Sequence, residues 1–175
     1  MKPDDTDENT EKNTVEPDRR RRFLYFCLRR LNPFMKRLLR SRFHRLVSGN
    51  ILLLTFTGRR SGRRYSTPVS YIRESGTVTF ATPRACRWWV NLQGNADVTL
   101  LVAGQTLAGQ VVVIEDDQDQ KTASITRLLQ LVPRDAPYYR IAVASDGTPD
   151  PDDLAQAAHE HIVIRVVLVE AGSGQ

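Results

Sequence analysis

The run Ile51-Leu52-Leu53-Leu54-Thr55-Phe56 and the twelve residues after it, Thr57-Gly58-Arg59-Arg60-Ser61-Gly62-Arg63-Arg64-Tyr65-Ser66-Thr67-Pro68, decide how the rest of the chain is read. A short apolar run bounded by polar turn residues predicts a buried strand. The polar stretch then predicts a loop between that strand and the next. Working outward, residues 68–73 read as a second strand. In 77–82, Val78 and Phe80 alternate with threonines, which predicts a third. Residues 98–102, 107–115 and 162–170 add three more. A short segment falls at 88–92, a helix at 118–132, a turn at 133–137 and a second helix at 152–161. Loops as short as Arg73-Glu74-Ser75-Gly76 join neighbouring strands and favour antiparallel pairing. Six strands with few helices between them do not make an alternating parallel fold. The expected class is α+β: an antiparallel barrel, closed or partly closed, with helices on one side.

The loop at 57–68 carries the chemistry. It holds four arginines and four Ser or Thr hydroxyls, and its glycines let backbone amides turn outward. Guanidinium groups match phosphate and carboxylate oxygens in bidentate fashion, so a loop of this composition suits an anion. A solvated hairpin with no ligand is the competing reading. The spacing of a Walker A loop is absent. After the third strand come Arg84, Arg87, Trp88, Trp89 and Asn91, where indoles beside arginines can wall a flat heterocycle or pack the barrel mouth. Arg64 and Arg84 enter the set of expected ligand-binding residues on this basis.

The chain has 175 residues, 41% of them hydrophobic and 26% charged, enough for one soluble domain with an extension. Its net charge of +5 is unevenly spread. Residues 1–18 hold two lysines against seven acids, residues 19–46 hold eleven Lys and Arg with no acid, and the remainder is close to balanced. The division expected is a disordered acidic tail at 1–18, basic amphipathic helices at 19–47 and a barrel domain at 48–175. Within 19–47, Asn32 and Pro33 open a helix on which Phe34, Met35, Leu38, Leu39, Phe43, Leu46 and Val47 recur at helical spacing opposite Lys and Arg. Such a stripe packs on the domain or lies on an anionic membrane surface. Nucleic acid is not the expected partner, because bulky apolar residues interleave the charges. Two cysteines, Cys27 and Cys86, and a polar start without an apolar signal core fit a reduced, cytoplasmic chain, peripheral to the membrane at most. No metal site is expected. His159 and His161 read as surface histidines, and Asp116, Asp117 and Asp119 as the acidic start of a helix.

Three segments together bring a family into view: Leu-Leu-Thr-Phe-Thr-Gly-Arg-Arg-Ser-Gly at 53–62, Thr67-Pro68-Val69, and Trp88-Trp89-Val90-Asn91-Leu92. In these the chain resembles the deazaflavin-dependent nitroreductases, also called F420-dependent quinone reductases, and the likeness continues weakly to the last strand. The resemblance implies a split β-barrel related to FMN-binding proteins, coenzyme F420 as hydride carrier, a quinone, nitroaromatic or activated alkene as acceptor, and a possible homodimer. It places Arg59, Arg60 and Ser61 on the coenzyme's phosphate and acidic tail, and Thr67 and Pro68 under the deazaflavin ring. It places Thr82 at the ring's reactive edge and Trp88 and Asn91 at the pocket's closing side. Tyr138 and Tyr139 become candidates for the substrate side and for proton donation. The chain departs from the family pattern at Tyr65, where an arginine is usual, and at Pro83-Arg84-Ala85-Cys86, which replaces a longer glycine-rich stretch. The alternative these departures favour is a split barrel that binds FMN, haem or a fatty acyl chain without deazaflavin chemistry.

Overall fold

A computed structural model describes residues 50–169. The acidic tail and basic helices expected at 1–47 lie outside the described residues. Among the described residues seven strands form one antiparallel sheet: β1 (Ile51–Thr57), β2 (Arg64–Ser70), β3 (Ile72–Glu74), β4 (Thr77–Pro83), β5 (Asp97–Val102), β6 (Gln105–Ile114) and β7 (His161–Leu168), in the order β2-β1-β5-β6-β7-β4-β3. The helices are α1 (Gln118–Leu131), the single turn α2 (Ala136–Tyr139) and α3 (Pro151–Glu160). The sheet curls so that β2 returns to β4 across the opening, which makes a split barrel.

The period-2 pattern of the strands separates two cores. On the inner face, Leu52, Leu54 and Phe56 of β1 meet Val78 and Phe80 of β4, Leu100 of β5 and Ile162, Ile164 and Val166 of β7. Phe80, Leu52 and Leu54 are fully buried, and each such side chain stabilises the fold by roughly 1.5–3 kcal/mol. On the outer face, Ile72, Ala81, Ile114 and Val163 pack under Ile125, Leu128 and Leu129 of α1 and Ala157 and Ala158 of α3. The helices therefore cover the half of the sheet built from β3, β4 and β7. Asp117 caps α1 by accepting a hydrogen bond from the Gln120 amide at 2.9 Å, and Asp150 caps α3.

The strand expected at 68–73 is corrected to two, β2 beginning four residues earlier and ending at Ser70, and β3 at Ile72–Glu74. Residues Arg64–Ser70 pair with all of β1, from Thr57↔Arg64 to Ile51↔Ser70, so polar Tyr65, Ser66 and Thr67 belong to a strand. The chain then leaves β1 at Tyr71, whose amide donates to the Asn50 carbonyl at 3.0 Å, and continues as β3 against β4. A buried tyrosine at this corner carries the chain from one half of the barrel to the other.

Candidate functional site

With Arg64–Thr67 in a strand, the loop shrinks to residues 58–63. The Gly58 amide donates to the Arg63 carbonyl at 2.8 Å, and the Gly62 amide to the Gly58 carbonyl at 2.9 Å. Gly62 has φ +63°, where a side chain is penalised. Gly58 is needed for space: a Cβ there would lie 2.7 Å from both Ser61 Oγ and Tyr65 Cε2. Tyr65 folds across the loop, its hydroxyl 3.3 Å from Ser61 Oγ and its ring stacked on Phe56 at 5.9 Å.

This loop docks on the 3₁₀ segment Trp88–Leu92. The Arg59 amide donates to Asn91 Oδ1 at 3.1 Å, while Asn91 Nδ2 donates to the Trp88 carbonyl at 2.9 Å. Arg59 Nη1 adds a longer bond to the Val90 carbonyl at 3.4 Å. The Trp88 ring also stacks on Phe56, with centroids 5.6 Å apart and planes 24° from parallel. Trp89 is buried, its indole N–H donating to the Arg84 carbonyl at 3.0 Å. A cavity of about 460 Å³ opens between loop and segment, lined by Arg59, Arg60, Arg87, Val90 and Asn91. Among the described residues, no carboxylate pairs with any of these three arginines. Three guanidiniums around one opening make an electropositive receptor for an anion.

Residues 28–145 match the sequence model of the family described as F420H(2)-dependent quinone reductase. The chain belongs to that family. Among solved structures it is similar to a candidate 5-nitroimidazole antibiotic resistance protein from Bacteroides thetaiotaomicron, with 14% identity, 74% of this chain and 79% of that chain covered, and a TM-score of 0.50. It is also similar to the heme storage protein HutZ from Vibrio cholerae, at 15% identity, 81% and 92% coverage and a TM-score of 0.49. A third similar structure is an F420-H2 dependent reductase, FDR-A, at 17% identity, 67% and 94% coverage and a TM-score of 0.44. At this level of identity the first of these speaks for the fold alone. No curated protein matches the chain.

For a member of the F420H(2)-dependent quinone reductase family, the expected site residues divide into those at the cavity and those elsewhere. Arg59, Arg60 and Asn91 line it, and Trp88 forms the adjoining aromatic stack with Phe56 and Tyr65. Ser61 stays in the loop, bonded to Tyr65 and to the Arg63 amide. Thr67 lies opposite Leu54 on the inner face of β2, and Pro68 opposite Leu53 on the outer face. Thr82 is buried near the end of β4, opposite Ile162. Arg64 opens β2 as an exposed residue and does not line the cavity.

Arg84 is held elsewhere. Its guanidinium donates to Glu115 Oε1 at 3.0 Å and to the Glu115 carbonyl at 2.8 Å. Gln93 Nε2 holds the second Glu115 oxygen, and Lys121 Nζ donates to the same carbonyl at 3.1 Å. Lys121 is fully buried, which pushes its ammonium below the ordinary lysine range, helped by the Arg84 charge.

Tyr138 and Tyr139 belong to the helix side of the sheet. Their rings meet edge to face at 5.2 Å, and Tyr139 lies 5.0 Å from His161. Burial, with the Asp135 carboxylate nearby, pushes the Tyr139 phenol well above its ordinary value. Neither tyrosine lines the cavity. His161, read from sequence as a surface residue, is 4% exposed, because α3 passes into β7 without a loop and turns the ring inward. Arg87 and Val90 are the lining residues that sequence reasoning did not promote. Arg87 stands beside Trp88, but nothing in its neighbours signals that its backbone takes a left-handed turn.

Proposed function

We propose that this chain is a deazaflavin-dependent oxidoreductase that binds the anionic end of coenzyme F420 in the cavity between loop 58–63 and Trp88–Leu92. The observation that carries this reading is the convergence of Arg59, Arg60 and Arg87 on one cavity without a neutralising carboxylate among the described residues. The donor set fits the group: guanidiniums and an amide for phosphate and carboxylate oxygens, with the Trp88–Phe56–Tyr65 stack beside them as an apolar wall. When bound, the reduced coenzyme supplies a hydride, so the chain has to hold and orient it against the acceptor. Arg59 is pre-positioned for that task by its two bonds to the Trp88–Leu92 segment. In this reading the proton that accompanies reduction comes from water or from Tyr138, whose side chain is exposed, while Tyr139 is buried.

The acceptor in this reading is a quinone, nitroaromatic or activated alkene. The eleven positive charges of 19–46 hold the site near an anionic membrane surface where quinones dissolve. Among the described residues no helix is long and apolar enough to cross a membrane. A homodimer is part of the same reading, supported by exposed Val112, Val167 and Val169 on β6, β7 and the residue after it.

The deciding experiment is titration of the full chain with oxidised F420, followed by tryptophan quenching and the visible band. Saturable binding in the micromolar range supports the proposal. No change at high micromolar F420, with FMN or haem retained instead, rejects the coenzyme. Flotation with anionic vesicles, repeated on a chain lacking 1–46, tests the membrane part separately.

A further inference from the structure

We propose that residues 33–47 dock their apolar stripe on the outer face of β2, β1 and β5, over Leu53, and form the layer on the half of the sheet that α1 and α3 do not cover. Neither this docking nor its test involves the coenzyme, so it stands apart from the F420 reading.

The outer face beyond α1 and α3 is buried in one place and open in another. By register, Leu53 lies between Pro68 and Leu101, and Val112 and Val167 share its face on β6 and β7. The two valines are 45% and 52% exposed, whereas Leu53 is 2% exposed. Side chains stand upright on a sheet, so strand neighbours screen the sides of Leu53 and leave its tip. Leu53 nevertheless belongs to neither core: it points away from the barrel interior and is not among the residues packed under the helices. The turn at 133–135 is tied to this face at Ser70, which lies opposite Ile51 at the end of β1 and not at its middle. A cover over the middle of β1 is therefore required.

Connectivity selects the segment that supplies it. The stripe ends at Val47 and β1 starts at Ile51. Only Ser48-Gly49-Asn50 lie between, and fully extended they span about 10 Å, close to the separation of packed layers. A helix ending so near β1 lies against one of its two faces. The inner face is filled by Leu52, Leu54 and Phe56, which leaves the outer one. The lengths agree: a helix over 33–47 spans about 22 Å, and the seven residues of β1 about 23 Å. The polarity agrees as well. Ile51, Pro68 and Leu101 around Leu53 are half-buried, and Thr55 and Ser66 beside them satisfy one another at 3.0 Å. The charged residues of this face, Arg64 and Asp97, stand exposed at the strand ends. With the stripe spent on the sheet, Lys36, Arg37, Arg40 and Arg42 on the other side of the helix attract an anionic bilayer by charge alone, which salt screens.

The full chain is melted without vesicles as wild type, as Leu53→Ala, as the stripe variant Leu38→Ser, Leu39→Ser, and with all three substitutions. Leu53→Ala and the stripe variant are each expected to melt lower by about 5 °C or more. The triple variant loses less than the two losses added, because the stripe and Leu53 bury one another. A stripe variant that melts with wild type overturns the docking and assigns the stripe to the bilayer. Losses that add in full overturn it by giving Leu53 another cover. A melting temperature that rises with chain concentration overturns it in favour of a second copy. If a variant fails to fold, hydrogen exchange of wild type decides. Amides of 38–47 protected to within about tenfold of those in α1 uphold the docking, and weaker protection overturns it.

Discussion

Arginines serve two different purposes in this molecule. Arg84 lies three residues before Arg87, yet its guanidinium is spent on Glu115, with Gln93 and Lys121 completing the arrangement. Arg127 forks onto the Glu74 carboxylate, and Arg165 donates to Ser124 and Gln120. Those side chains fasten the helices and turns to the sheet. Arg59, Arg60 and Arg87 face a cavity and have no carboxylate among the described residues. Charge that a fold neutralises internally serves packing and register, whereas charge left unneutralised around a concave space is available to a ligand. The contrast separates the two groups by consequence: changes at the cavity alter affinity, and changes at the paired arginines alter stability.

The largest effect is expected from removing the loop cations. The double substitution Arg59→Ala, Arg60→Ala lowers F420 affinity about a hundredfold, as loss of two charge-assisted contacts implies. The melting temperature stays within about 2 °C, since exposed residues without ion pairs contribute little to stability. Calorimetric titration and a thermal melt on one preparation check both halves. A large fall in melting temperature without a change in affinity would put these arginines in the structural group and erase the contrast.

Gly58→Ala is expected to come next, and it acts on both quantities. The added Cβ collides with the Ser61 hydroxyl and the Tyr65 ring, so the loop must shift at a cost of roughly 1–3 kcal/mol. Affinity drops about tenfold as Arg59 is pulled off Asn91. Restoring space with Gly58→Ala, Tyr65→Ala should return part of the melting temperature, a coupling that a double-mutant cycle measures directly.

Arg84→Ala is the reverse control. Arg84 and Glu115 are both partly exposed, so solvent screens the pair and the loss is about 0.5–1 kcal/mol, or roughly 1–4 °C in melting temperature. F420 affinity should stay within about twofold. A tenfold loss of affinity here would mean that the Glu115 network holds the cavity wall in place, which would blur the division of labour.

Much of the barrel was legible from apolar alternation, and its misreadings have physical causes. β1 and α1 announce themselves, one by the apolar run Ile51–Leu54 and the other by Asp117 at its start. The start of β2 does not. Arg64, Tyr65 and Ser66 look like loop residues, and only pairing with Thr57, Phe56 and Thr55 makes them a strand. Asn91 and the arginines of the loop could be named from motifs. Choosing between Arg84 and Arg87 could not be done that way, because the choice depends on a left-handed backbone turn and on a partner, Glu115, thirty-one residues away. Tyr138 and Tyr139 followed a resemblance in order along the chain, and α2 delivers them to the outer face of the sheet.

The smallest effect belongs to His161, on the helix-covered side of the sheet. Its ring packs against both Tyr138 and Tyr139, and Nδ1–H donates to the Ala157 carbonyl at 2.9 Å. Burial lowers its affinity for a second proton. The Ala157 bond and Glu160 oppose that shift, while Arg140 and Lys121 add to it, and the net direction is downward from 6.5. The unfolded chain therefore takes up a proton at this residue at a pH where the folded chain does not. Stability from neutral His161 is complete above about pH 6.5 and declines as the pH falls below it. Melting should be lower at pH 5.5 than at pH 7.5, and His161→Gln should flatten that difference while F420 affinity at pH 7.5 is preserved. An equal pH-dependent fall in wild type and His161→Gln would show that another group titrates. A loss of affinity in the variant would tie the helix side of the sheet to the cavity, against the separation argued from the two sets of arginines.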